Sequence, residues 1–195
     1  MPARFSAERL ALGDVLLIRP TRFGDARGHF METYSLFGLR EVGVDVSFLQ
    51  DNESLSVASG TVRGLHFQVP PQAQTKLVRV IAGAAFDAVV DLRLGSPTYG
   101  RWCGATLTAA GAEQIFVPAG FAHGYCTLEP NTIVSYKVDR YYAPEYDRGI
   151  RWDDPDLGIA WPVAASDAVL SDKDAKLPAF RGFASPFTAS GASSP

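Results

Sequence analysis

From residue 61 to residue 142 apolar and polar positions alternate in short runs with a period close to two. The runs are TVRGLHFQV, KLVRVIAG, AAFDAVVDLRLG, RWCGATLTAA, EQIFVPAG, AHGYCTLE and NTIVSYKVDRYY; DVLLIRP and DVSFLQDNESLSV precede them. Val, Ile, Phe, Thr and Tyr dominate, residues that suit a pleated, half-buried surface. Punctuators such as AGAA, GSPTYG, PAGF and EPNT separate the runs. Many short strands with almost no helix between them predict an all-β sandwich or barrel. One helix is expected, in YSLFGLREVG, with Ser35 as N-cap and Gly43 as stop.

Beyond residue 150 the pattern changes. The stretch WDDPDLGIAWPVAASDAVLSDKDAKLPAF is loop-rich, and Ser171 is placed to cap a short turn over DKDAKL. ASPFTASGASSP, at the end, is small and polar. These features predict one domain over residues 1–180 and a flexible tail over 181–195. The 195 residues are 47% hydrophobic, enough for a real core, and the net charge of −3 argues against a general nucleic-acid surface. No apolar run is long enough to span a membrane, and MPARFSAERLALGD lacks the apolar stretch of a signal peptide. The two cysteines, Cys103 and Cys126, form neither a metal spacing nor a disulfide framework and read as reduced core residues, which makes the cytoplasm the default location.

Candidate chemistry starts in GTVRGLHFQVPP. Arg63, His66 and Gln68 sit within one strand, and Lys76 opens the next. A single polar residue in a strand is easily accommodated; several together predict that one sheet face lines a polar cavity. Strict alternation puts His66 and Gln68 on one face and Arg63 on the other. Gly64 lies between them, and a bulge there would bring Arg63 and His66 to the same side. The three histidines, His29, His66 and His123, are far apart in sequence, and Gln68 occupies the place that would complete a His-x-His. Glutamine is a poor transition-metal ligand, so no metal is expected. Tyr136 reads either as a packing residue or as a general acid facing the cavity. His123, after a Pro/Gly turn, reads as a turn residue or an anion donor. Lys173 and Asp174 read as a solvated turn, or as an Asp brought back to orient a histidine. With no Gly-rich phosphate loop, an anionic ligand must be held by scattered side chains such as Arg27, Arg63, Lys76 and His123.

Taken together, GDARGHFMETY, FLQDNESLS, VRGLHFQ, VPAGFAHGYCTLE, YKVDRYYAPEYDRGIRWDDPDLGIAWP and LSDKDAKLP resemble the dTDP-4-dehydrorhamnose 3,5-epimerase family, over nearly the whole chain up to Phe180. The resemblance implies a cupin-type jelly roll (a double-stranded β-helix) with a few short helices and no cofactor. It implies a homodimer whose N-terminal strands reach into the partner's site. The implied substrate is a dTDP-sugar, dTDP-4-dehydro-6-deoxy-D-glucose, inverted at C3 and C5. By resemblance His66 is the base, Asp174 its orienter, Tyr136 the acid and Lys76 the stabiliser of the enolate oxygen. Arg63, His123, Gln50, Asp51, Asn52 and Lys173 match binding positions. Arg27 and Glu32 match nucleotide contacts from the partner, and Phe30 and Tyr141 an aromatic pair around thymine. His29 departs from the family's usual phenylalanine. Asp147 stands where glutamate is common, with Glu145 as a substitute nearby. Rival readings are a single-site 3- or 5-epimerase of the same fold, a non-catalytic sugar-nucleotide binder and a metal-dependent cupin oxygenase.

Overall fold

The structure is a computed structural model and describes residues 3–189. Two antiparallel sheets carry the fold. The first contains β1 (Phe5–Arg9), β2 (Leu16–Pro20), β10 (Gln114–Val117), β7 (Lys76–Ala82), β12 (Thr132–Val138) and β5 (Gln50–Ser56), in that spatial order. The second runs β13 (Asp147–Gly149), β6 (Val62–Gln68), β11 (Phe121–Thr127), β8 (Ala84–Asp91) and β9 (Trp102–Thr108). Consecutive strands repeatedly cross between the sheets, which is the jelly-roll arrangement. A separate hairpin, β3 (Arg22–Asp25) and β4 (Gly28–Met31), joins neither sheet.

The inner faces meet in one core. Leu17, Val78, Val80, Ile115 and Val134 of the first sheet pack on Ala85, Val89, Cys103, Leu107, Phe121 and Tyr125 of the second. Alternate residues of the same strands point outward and are covered in turn. Leu16, Ile18, Leu77 and Phe116 lie under Phe5, Leu39 and Val44. Leu65, Phe67, Val90 and Ala122 lie under Ile150, Leu157 and Phe187. Coverage on both sides is why β8 and β11 are buried along nearly their whole length.

The predicted helix forms as α1 (Leu36–Glu41), where Ser35 Oγ accepts the Gly38 N–H at 3.2 Å. Ser171 Oγ likewise accepts the Asp174 N–H at 3.1 Å, starting a 3-10 turn over Asp174–Lys176. Four strands lie outside the predicted runs. Those of β1, β3 and β4 are almost wholly exposed and so carry no alternation, and β13 has only three residues. The run predicted from residue 45 enters β-structure only at Gln50.

The described part of the expected flexible tail, up to residue 189, lies against the second sheet. Phe183 and Phe187 stack edge-on against Phe67, with ring centroids 5.5 and 5.9 Å away, and Thr188 bridges Leu94. The physical reason is Phe67, an outward aromatic on β6 that these rings shield from water. Residues 190–195 of that tail lie outside the described residues.

Candidate active site

A bulge in β6 builds the site. His66 pairs with His123 and Arg63 with Tyr125, so a three-residue step on β6 faces a two-residue step on β11. Val62 and Leu65 therefore both point outward, while Arg63 and His66 both reach the interior cavity. Gly64 makes this possible. Its φ is +133°, and a Cβ there would lie 2.6 Å from Gly124 Cα. Only glycine fits that conformation and that approach.

The cavity, about 310 Å³, opens between the sheets. His66 and Gln68 from β6, Lys76 from β7, His123 and Tyr125 from β11, and Tyr136 from β12 supply its walls. Asp147, Lys173 and Asp174 close one side from the C-terminal segments. His66 Nε2 lies 2.5 Å from Asp174 Oδ1. A carboxylate only accepts, so Nε2 carries the hydrogen, and in the neutral imidazole the lone pair is on Nδ1. Burial alone would raise the Asp174 carboxyl. Burial is the largest single influence, but the interactions with His66, Ser171 and Lys173 together outweigh it and hold the carboxyl below the usual carboxylate range.

Lys76 places its Nζ 3.5 Å from the His66 carbonyl, and desolvation pushes its ammonium down to about 8, against the partial support of Asp147 and Asp87. Burial raises the Tyr136 phenol, with Arg63 pulling the other way, so it remains a protonated donor at neutral pH. His123 Nε2 is tied to the buried Asp87 Oδ2 at 2.8 Å. Arg63 is steadied by Ser56 Oγ at 3.2 Å and the Leu55 carbonyl at 3.1 Å.

The structure thus brings Arg63, His66, Lys76, His123, Tyr136, Asp147, Lys173 and Asp174 around one space. Asp147, not Glu145, faces it; Lys173 and the Tyr142 hydroxyl both donate to Asp147 Oδ2. The segment Gln50–Asn52 divides. Asn52 is opposite Tyr136, whereas Asp51 points away and pairs with Lys137 at 2.6 Å. Gln50 Oε1 accepts the Tyr142 N–H at 3.1 Å and supports the cavity rim. Gln68 is also a strut: its amide holds Gln72, Tyr141 and Ala143 backbone groups at 2.7–3.2 Å.

Besides Gln50, Asp51 and Asn52, four more expected residues stand apart from the cavity of their own chain. Arg27 and Phe30 lie on the exposed hairpin with His29, Arg27 pairing with Asp25 at 2.5 Å. Glu32 pairs with Arg4 at 2.8 Å, and Tyr141 is 65% exposed on the rim. Sequence reasoning passed over Asp87, Tyr125, Ser54 and Tyr142. A signal existed for two of them, since Tyr125 is two residues from His123 and Ser54 two from Asn52, on the same strand faces. Among the described residues no group of three or more His, Cys, Asp and Glu side chains converges.

The sequence profile of the dTDP-4-dehydrorhamnose 3,5-epimerase family matches residues 9–182. An enzyme of that description from Sinorhizobium fredii is 53% identical over 171 residues, 88% of this chain and 87% of its own. The crystal structure of the Bacillus anthracis dTDP-4-dehydrorhamnose 3,5-epimerase, with TDP and PPi bound, is 50% identical. It superposes with a TM-score of 0.87 over 90% of this chain and 99% of that one. The Legionella pneumophila dTDP-6-deoxy-D-glucose-3,5-epimerase, in complex with dTDP-4-keto-L-rhamnose, is 37% identical with a TM-score of 0.89, over 95% of this chain and 100% of that one. With its cupin-type jelly roll and this degree of identity across most of its length, the chain belongs to the dTDP-4-dehydrorhamnose 3,5-epimerase family and is an isomerase.

Proposed function

We propose that the protein converts dTDP-4-dehydro-6-deoxy-D-glucose to dTDP-4-dehydro-L-rhamnose, for rhamnose biosynthesis, by proton transfer at C3 and C5. The observation that carries this reading is an oriented imidazole and a protonated phenol on different strands around one cavity, beside a low-pKa lysine. The C4 ketone acidifies the protons on C3 and C5. His66 Nδ1 takes one of them, and the resulting imidazolium is stabilised by Asp174. The electron pair moves to the C4 oxygen, where the Lys76 ammonium meets the developing charge. Tyr136 gives its phenolic proton to the opposite face of the carbon, which inverts it. Arg63, His123, Asn52 and Lys173 serve binding, with Asp147 and Gln50 shaping the entrance.

The same reading makes the enzyme a homodimer. The β3–β4 hairpin exposes the cross-strand pair Phe23 and Phe30 and belongs to neither sheet. In a dimer it would deliver Arg27, Phe30 and Glu32 to the partner's Tyr141 side. The buried free thiols Cys103 and Cys126 suit a reducing cytoplasm. No helix among the described residues is long and apolar enough to cross a membrane.

The test is incubation with the dTDP-4-keto sugar in D2O, followed by NMR at C3 and C5. Exchange at both carbons is expected. Exchange at one makes the enzyme a single-site epimerase, and none at either, from folded protein, removes the enzymatic reading. His66→Ala is expected to abolish exchange at both while dTDP still binds. Tyr136→Phe impairs inversion more than the initial proton loss.

A further inference from the structure

The inner face of the cavity holds a second phenol that the proton transfers above do not use. Tyr125 is 5% exposed, and its hydroxyl lies 2.7 Å from Ser54 Oγ. Ser54 pairs with Val134 on β12, one inward step from the Asn52–Tyr136 pair, so it is the diagonal neighbour of Tyr136 on the same sheet face. Both residues line the cavity. Two hydroxyls bring two protons and four lone pairs, and the bond between them consumes one of each. Ser54 has one further partner, the Val134 carbonyl, at a marginal 3.5 Å. The pair therefore retains hydrogen-bonding capacity, which a ligand hydroxyl in the cavity would satisfy. Burial raises the Tyr125 phenol, so it stays protonated and able to donate to a ligand oxygen.

Resting on the epimerase reading, we propose that Tyr125 and Ser54 bind the hydroxyl on C2 of the sugar and make it a specificity determinant. The choice among ring positions follows from the reaction. C1 bears the diphosphate, C4 is the ketone and C5 carries a methyl group. The C3 hydroxyl changes face when its carbon inverts, so a fixed donor–acceptor pair would lose it midway. The C2 hydroxyl alone keeps its configuration through both inversions, and a rigid contact to it is compatible with every step.

The experiment measures kcat/KM for dTDP-4-dehydro-6-deoxy-D-glucose and for its 2-deoxy counterpart in the wild type, Tyr125→Phe and Ser54→Ala. The wild type is expected to favour the parent sugar by about tenfold, the effect of one neutral hydrogen bond at the upper end of its range. Tyr125→Phe preserves volume and is expected to shrink that preference to about twofold, through loss on the parent sugar; Ser54→Ala acts in the same direction. A mere packing defect would lower both sugars equally. Equal lowering, an unchanged preference in both variants, or no preference in the wild type overturns the assignment. Failure of the epimerase reading itself looks different: the wild type then shows no exchange at C3 or C5 with the parent sugar.

Discussion

Lys76 shows how a single side chain sets a working range. Its ammonium is pushed down to about 8 by burial, so the cation is populated below that pH and lost above it. If it stabilises the enolate, kcat/KM falls as pH rises through about 8, and the limb disappears in Lys76→Met together with roughly 10²–10³-fold of activity. The sign for stability is opposite. The folded state holds this proton less tightly than the unfolded chain, so the charged lysine opposes folding at pH 7, and stability rises between about pH 8 and 10.5. Lys76→Met should therefore be more stable at pH 7, by on the order of 2 kcal/mol in urea denaturation. A variant both less active and less stable would contradict this account. At this scale His66, Arg63, Lys76 and Tyr136 were legible because each is a polar residue in an apolar strand. Asp87, equally anomalous in AAFDAVVD, needed the β8–β11 register to be linked with His123.

Among the elements, β6 explains why alternation read the fold well and the site incompletely. Period two identifies strands through their buried face, and it located every long strand of both sheets. It fails where a strand gains a residue, and it is silent on β3 and β4, whose faces are both exposed. The bulge was legible only as a glycine between two polar residues; the pairing that proves it lies on a strand some sixty positions later. Gly64→Ala tests the element directly. The new methyl meets Gly124 Cα at 2.6 Å and demands a left-handed backbone, so a loss of about 2–4 kcal/mol is expected in chemical denaturation. Activity should fall further than stability explains, because His66 and Arg63 shift relative to each other. Wild-type stability would show that the strand relaxes without the bulge.

For the whole molecule, the sequence motifs pointed to Arg27, Phe30 and Glu32 as ligand contacts, yet the first two lie on a hairpin and Glu32 just past it, all outside their own chain's cavity. Within one protomer the two are apart, and the proposed dimer would bring them together. Mixed dimers supply the check. Pair a protomer carrying Arg27→Ala and Phe30→Ala with one carrying His66→Ala. Each variant alone is expected to be nearly inactive, while the mixed dimer rebuilds one intact site of two and regains about half the wild-type activity. No recovery in verified mixed dimers would mean that each hairpin serves its own barrel or none.

The contact between His66 and Asp174 joins residues 108 positions apart, and the later one arrives on the turn capped by Ser171, next to the segment that seals the second sheet. Order of assembly follows from that distance. On a chain emerging from the ribosome the imidazole is made early and its carboxylate late. Any folding intermediate whose C-terminal segment has yet to dock holds an unaimed ring, whatever the state of its barrel. Turnover therefore requires that segment to have docked, and its appearance during refolding cannot precede that closing.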